Sequence, residues 1–438
     1  MSEKPTDEWQ QLALGSLVDF QSGGTPSKDN PAFWNGSTPW VSAKDMKQLF
    51  LDDTEDHITT AATDDGAKVV SANTVLMLTR GMTLLNDVPI CIVRRPMSFN
   101  QDVKALQPKG ALDGRYLPYL LLGNKYRLLG MVDLAGHGTG RLNTEELKSL
   151  DVLLPPSVAQ QAIASILGAL DDKIELNRRR NGTLEAMARA IYKAWFVDFE
   201  PVRAKAAGRR PPGLNPELAA LFPNAFQDSE LGEIPKGWRV GKLNDICRIG
   251  RGSSPRPIHN YMGGTVPWIK IADATSAGGP FIYETKEFVT EAGSQKSVWV
   301  NPGDLILSNS ATCGVPIFVG LRGCIHDGWL HFSQLRHISR GYLYHWLTTI
   351  SEHLIHIADG SVQKNLNTGL VGGQQLTIPV PELVQAFDQF NDEAYRRIDK
   401  TVQESRTLAA LRDSLLPKLI SGELRVPDAE RIIRRTTR

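Results

Sequence analysis

The sequence predicts an α+β protein in which two tandem, related domains are separated by two long helices that pair as an antiparallel coiled coil. Three observations lead to this class. Two stretches carry an unbroken helical ladder, the two ladders recur at a constant offset of 224 residues, and the strand-like segments ahead of each ladder recur at offsets of 224 to 230. A duplicated unit of roughly 220 residues, not a short-period solenoid, accounts for all three.

The first domain spans residues 1–156. Its segments reappear in the second domain, residues 231–380. Trp9, Leu14, Leu17, Phe20, Gly23 and Pro26 match Trp238, Leu243, Ile246, Ile249, Gly252 and Pro255. TPWVSAKD (38–45) matches VPWIKIAD (266–273), TVLMLT (74–79) matches DLILSN (304–309), and VPICIV (88–93) matches VPIFVG (315–320). Later, Gly136, Leu142, Asn143 and Thr144 match Gly360, Leu366, Asn367 and Thr368. These runs are short, rich in Val, Ile and Leu, and bounded by Gly, Pro, Asn or Asp, so they read as buried strands joined by turns. Residues 116–130 and 342–358 have helical spacing and are expected to pack on the sheets.

The first long helix is placed at 157–200, and its ladder runs through Ile163, Leu167, Leu170, Ile174, Asn177, Asn181, Leu184, Ala188, Ile191 and Trp195. Alternating steps of four and three are the period of a coiled-coil seam. Its counterpart, 381–425, continues the pattern through Phe387, Asn391, Ala394, Ile398, Thr401, Ser405, Leu408, Arg412, Leu415 and Leu419. Both seams are polar at the centre. Antiparallel pairing sets Asn177 and Asn181 level with Ser405 and Thr401, so that polar groups meet each other, and a buried polar layer penalises other registers. Residues 201–230, with Pro-Pro-Gly and Asn-Pro breaks, read as a connector in which ELAALF (217–222) makes one helical turn, and the basic tail 426–438 as frayed.

Composition narrows the function. A net charge of +1 and 41% hydrophobic residues describe an ordinary globular chain, with no apolar run of membrane-spanning length and no signal-peptide core. Four cysteines without CxxC spacing suit a cytoplasmic protein with reduced thiols. Lys+Arg against Asp+Glu is 15 to 18 over residues 1–150, 13 to 10 over 231–380 and 10 to 6 over 157–210, so any nucleic-acid binding rests on local basic faces. No phosphate-binding GxxxxGK[ST] loop, cofactor loop with an Asn/Asp-Pro-Pro-aromatic motif, or nuclease carboxylate pattern is present. His353 and His356 lack the frame of a metal site, and no His or Asp is tied to Ser253 or Ser254. Duplication without catalytic groups points to a recognition device.

Two long segments then carry a resemblance. Tyr192 to Trp238, YKAWFVDFEPVRAKAAGRRPPGLNPELAALFPNAFQDSELGEIPKGW, resembles the central conserved region of specificity subunits of type I restriction-modification systems. SLLPKLISGELRV (414–426) is similar to the C-terminal conserved region of the same family. The resemblance implies two target-recognition domains, each reading one half of a bipartite asymmetric site in double-stranded DNA. It also implies helices that set the spacer and dock two modification (methyltransferase) subunits. Two restriction (ATPase/nuclease) subunits complete such a complex, and no membrane is involved. The chain would itself be non-catalytic and hold no cofactor, with S-adenosylmethionine, ATP and Mg on the partner subunits of an adenine-N6 methyltransferase and ATP-dependent endonuclease. The competing reading is a scaffold for methyltransferase subunits that reads no DNA; an enzyme with an unfamiliar site is a third.

Base reading needs Arg, Lys, Asn or Gln, and phosphate contacts need basic or small polar groups. The equivalent loops of the two domains offer Lys44, Arg80 and Arg141 in the first and Lys270, Ser308, Asn309 and Lys364 in the second. For each the bland alternative is a solvated loop charge or a turn former. Arg178, Arg179 and Arg180, beside the polar layer, are weighed in the same way against a plain solvated helix face.

Overall fold

A computed structural model describes residues 9–135, 138–358 and 365–436. The chain divides into two compact units, Met1–Arg178 with Val402–Arg438, and Arg179–Thr401. Both divisions fall inside the long helices, so each unit keeps about half of each helix as part of its own core.

In the first unit a five-stranded sheet has the order 18–22, 103–108, 75–78, 90–93, 50–51, and a four-stranded sheet the order 57–58, 34–41, 97–99, 69–70. Val75–Leu78 is buried at every position, as an unbroken apolar run at the centre of a covered sheet requires. Gln10–Ala13 pairs antiparallel with Asp151–Leu154 and ties the two ends of the domain together. A three-stranded ribbon, 133–135, 139–141 and 80–81, lies apart from these sheets.

The second unit repeats the plan. Its five-stranded sheet runs 248–251, 329–333, 305–308, 316–319, 281–282, its four-stranded sheet runs 288–289, 262–269, 323–325, 298–300, and Arg239–Lys242 pairs with Gln375–Ile378. The matched glycines have a steric cause. A Cβ on Gly23 would lie 2.1 Å from the Phe99 carbonyl oxygen, and one on Gly252 would lie 2.0 Å from that of His326. At this point two chains pass too close for any side chain.

Helix α1 spans Ser157–Phe196 and helix α2 spans Pro381–Ile420, 40 residues each. They pack together antiparallel. In the first unit Asn177 Nδ2 donates to Ser405 Oγ (3.2 Å) and to Glu404 Oε2 (2.8 Å), and Asp171 meets Arg412 at 2.6 Å. In the second unit the Thr401 hydroxyl donates to Asn181 Oδ1, and Tyr192 packs on Phe387 with ring centroids 5.8 Å apart. Ile163, Leu170, Leu408 and Leu415 are buried, while Leu184 and Ile191 are half-buried against the second unit's core.

One sequence expectation needs correction. The tail is not frayed through its described part: Val426–Thr436 is a helix with Ala429 fully buried in the first unit's core, because its apolar residues fall on one face. The connector keeps the turn expected at ELAALF and holds more order than its breaks suggest. Glu200–Ala206 and Pro216–Ala220 are helical, 226–227 pairs with 234–235, and Val202 and Phe222 are buried in the second unit, so apolar residues between the Pro and Gly breaks anchor it.

Candidate nucleic-acid interface

The strand ends are held by the same bonds in both units. Asp45 accepts from the Ser42 amide (2.9 Å) and the Glu55 amide (3.1 Å); Asp273 accepts from the Lys270 amide (2.8 Å) and the Lys286 amide (3.1 Å). Next, the carbonyl of Thr79 accepts from the Leu142 amide (2.9 Å), and that of Asn309 from the Leu366 amide (2.7 Å). Their side chains also act alike: the Thr79 hydroxyl donates to Asp102 O (3.0 Å) and the Asn309 amide to Asp327 O (3.0 Å). The shared Leu-Asn then closes the motif. Leu142 and Leu366 are buried, and Asn143 and Asn367 cap short helices by accepting from Glu145 N and Leu370 N. The shared residues thus form a frame for loops whose other side chains differ.

Against this frame the candidates separate. Ser308 is 1% exposed and Asn309 0%, and Ser308 Oγ both donates to Thr312 O and accepts from the Val315 amide. These two are frame residues whose side chains have no surface to offer DNA. Lys44 is held by Glu55 (3.1 Å) and Asp56 (2.9 Å), whose hydrogen bonds raise its affinity for a proton. Lys270 is ion-paired with Glu287 and lies 5.2 Å from the Trp268 ring centroid. Both lysines would have to leave carboxylates to reach a phosphate. Arg178 likewise forks onto Glu175 through two 2.8 Å bonds and reaches Asp52. Lys364 lies outside the described residues. His353 bonds Gln374 at 3.0 Å, and among the described residues no group of three or more His, Cys, Asp or Glu could hold a metal.

Arg80 and Arg141 stand differently. Both are exposed, and both lie in the ribbon, where they are direct cross-strand partners.

The structure also brings forward basic residues that the sequence leaves inconspicuous, and it corrects one expectation: Ser254 is tied to an acid, Asp327, 73 residues away. Around Asp327, Ser254 Oγ donates at 2.6 Å, Arg256 at 3.2 Å, and the Arg251 Nε bonds the carbonyl at 2.8 Å. Burial works against this carboxylate, yet the Ser254 bond and the neighbouring His326 and Arg256 hold it below its ordinary range. In the first unit Lys104 donates to Ser22, and burial together with the nearby Lys68 lowers its affinity for a proton. The available signal was a basic residue in or beside each matched strand, as in RGSSPRP (251–257).

The electrostatic pattern is local, not global. Small basic clusters sit on strands and adjoining loops of a duplicated frame. Such a surface can bind a polyanion and discriminate through loop side chains.

Comparison with known proteins finds one family twice along the chain. The family model described as type I restriction modification DNA specificity domain matches residues 6–186 and 235–403. The MjaIX specificity subunit of a type I restriction enzyme of Methanocaldococcus jannaschii is 25% identical over 434 residues, covering 96% of this chain and 94% of that protein. The HindI specificity subunit of Haemophilus influenzae is 27% identical over 328 residues, 65% of this chain and 71% of that protein. A crystal structure of the S subunit of a type I restriction-modification system from M. genitalium superposes with a TM-score of 0.57 at 16% identity, over 96% of this chain and 98% of that one, and shares the fold.

Proposed function

The chain belongs to the type I restriction-modification DNA specificity family, and from that premise we propose that each of its two domains reads one half of a bipartite asymmetric site. The chain is the non-catalytic, DNA-recognising subunit of its system. The observation that carries the proposal is the duplicated strand-end frame: identical hydrogen bonds at Asp45 and Asp273, and at Thr79 and Asn309, hold loops of different sequence. One scaffold used twice with different loop side chains supports two different half-sites.

In this reading the two long helices set the number of unspecified bases and dock two modification subunits, and two restriction subunits join that core. S-adenosylmethionine, ATP and Mg belong to those partners, which carry out adenine-N6 methylation, translocation and cleavage. Arg80, Arg141, Arg251 and Arg256 are the first residues to test as DNA contacts; Lys44 and Lys270 follow, since DNA would have to displace a carboxylate from each. No described helix is long and apolar enough to cross a membrane.

Methylome sequencing of a host that expresses the chain with its modification subunit tests the proposal. A new bipartite methyladenine motif is expected. Adding one heptad to each long helix should lengthen the spacer and leave both half-sites unchanged. Co-purification of the subunits with no motif at all would support the scaffold reading instead.

A further inference from the structure

We propose that Arg80 and Arg141 together grip a single backbone phosphate of the DNA. The inference rests on the DNA-recognition reading above and adds to it a ligand for one site in the first unit. Residues 80–81 pair antiparallel with 139–141, and Arg141 stands directly opposite Arg80. Directly opposed side chains share one face of a ribbon, with Cβ atoms about 4.5–5.5 Å apart, and like charges so placed repel. Among the described residues this pair is only partly compensated, by Asp133 opposite Arg141. Among the described residues neither arginine has an ion pair, whereas Lys44, Lys109, Lys125 and Arg412 in the same unit each hold a carboxylate. Asp133, on the far side of Arg141 in the ribbon, makes no ion pair with it, so the row Asp133, Arg141, Arg80 keeps a net positive charge.

The repeat supplies an internal comparison. Arg80 and Arg141 correspond to Ser310 and Asn365, and these two residues also form a direct antiparallel bridge. The backbone pairing is thus constant between the units while the side chains on it change from two cations to two neutral groups. Glycines maintain the close approach: Gly81 opposes Gly140, and a Cβ on Gly140 would meet Leu84 Cβ at 2.8 Å. What varies is the charge, and the charge is therefore tied to what the ribbon faces.

Among DNA groups a phosphate fits this pair best. A guanine edge accepts one bidentate guanidinium, but two guanidiniums side by side match the several acceptor positions of one phosphate oxyanion. An acidic protein surface is the other class of occupant, since Met82 and Leu134 nearby are 60% and 74% exposed. Among the described residues no carboxylate forms an ion pair with either guanidinium, and the net positive charge of the row favours the phosphate.

The test uses the full chain assembled with its modification subunits and a duplex carrying the motif found by methylome sequencing. Arg80→Ser with Arg141→Asn installs the second unit's own pair, which the same backbone bridge accommodates. Log affinity is measured against log salt for wild type, both single variants and the double variant. One shared phosphate predicts that the double variant lowers the slope by about 0.9, with strongly coupled single effects and unchanged discrimination among bases of the first half-site. Additive effects with a slope change of about 1.8 would mean two separate phosphates and overturn the clamp. An unchanged slope, relaxed discrimination at guanines, or loss of subunit assembly with DNA affinity intact per assembled complex would also overturn it. In those cases the wild-type complex still binds its motif and the DNA-recognition reading stands. If the wild-type complex binds no motif, both fail.

Discussion

Single residues in this chain differ most where a polar group is buried beside the long helices. In the first unit Asp171 is 3% exposed and takes bonds from the Tyr119 hydroxyl (3.0 Å) and Arg412 (2.6 Å). Burial raises its affinity for a proton despite both partners. Removing Arg412 strands that charge, so Arg412→Met should destabilise the first unit by about 2–4 kcal/mol, the range for a broken buried pair reduced for the partial exposure of Arg412, and Asp171→Asn added to it should restore part of the loss. Denaturant titration of the two variants checks both statements. In the second unit a buried contact to the long helix is neutral: His345 Nε2 pairs with Asn391 Oδ1 at 2.9 Å and stacks on Tyr192. Burial pulls the His345 pKa down from 6.5 to about 4. The unfolded chain then binds the extra proton first, so His345 costs stability as pH falls from about 6.5 to about 4 and contributes no change above or below that window. Asp388, pushed up from 3.8 to about 6 by burial, acts oppositely and adds stability as pH falls through nearly the same range. The two offset each other. His345→Gln should therefore turn a nearly flat contribution into a rise in the second unit's stability on going from pH 6.5 to pH 4, read from melting temperature against pH relative to wild type. An unchanged pH profile would contradict this assignment.

At the level of elements, the long helices were legible in the sequence because a heptad seam depends on residues three and four apart, all within reach of local reading. Asn177 with Ser405 and Asn181 with Thr401 are the level pairs that an antiparallel register of two copies related by 224 residues requires. Cysteines at 177 and 405, or at 181 and 401, should cross-link on oxidation or with a short bifunctional reagent; a parallel arrangement would instead link 163 with 387. Leu415, 2% exposed in the first unit's core, should cost about 2–5 kcal/mol as Leu415→Ala, seen in the first unit's unfolding transition and not in the second's. The strands were also legible, since they repeat as apolar runs between turn formers. The loops were not. Ser308 and Asn309 look like surface groups at a strand end, yet their surroundings come from residues 312–315 and 327–328, brought together only by the sheet. Lys44 and Lys270 have their carboxylates 11 to 17 residues away, beyond any local pattern. Arg80 and Arg141 could be named from sequence, but their opposition across 61 residues became visible only in the ribbon. Beyond the ELAALF turn, the order of tail and connector is less legible for the opposite reason: charge and Pro-Gly breaks mask the few apolar residues, such as Ala429 and Val202, that anchor them.

For the whole molecule, the duplication separates what is constant from what is free to change. Shared residues hold strands and caps, and the helix seam keeps its period while most of its side chains change; the other differences lie in loop side chains and in the charge of equivalent pairs. A non-catalytic reader needs this arrangement, because new specificity can arise without disturbing the fold that presents it. If each domain reads its own half of the DNA site, exchanging residues 231–380 for those of another family member and then sequencing the methylome should yield a bipartite motif in which one half is replaced. The other half, read by residues 1–156, should be unchanged. A motif altered in both halves, or not altered at all, would contradict that division.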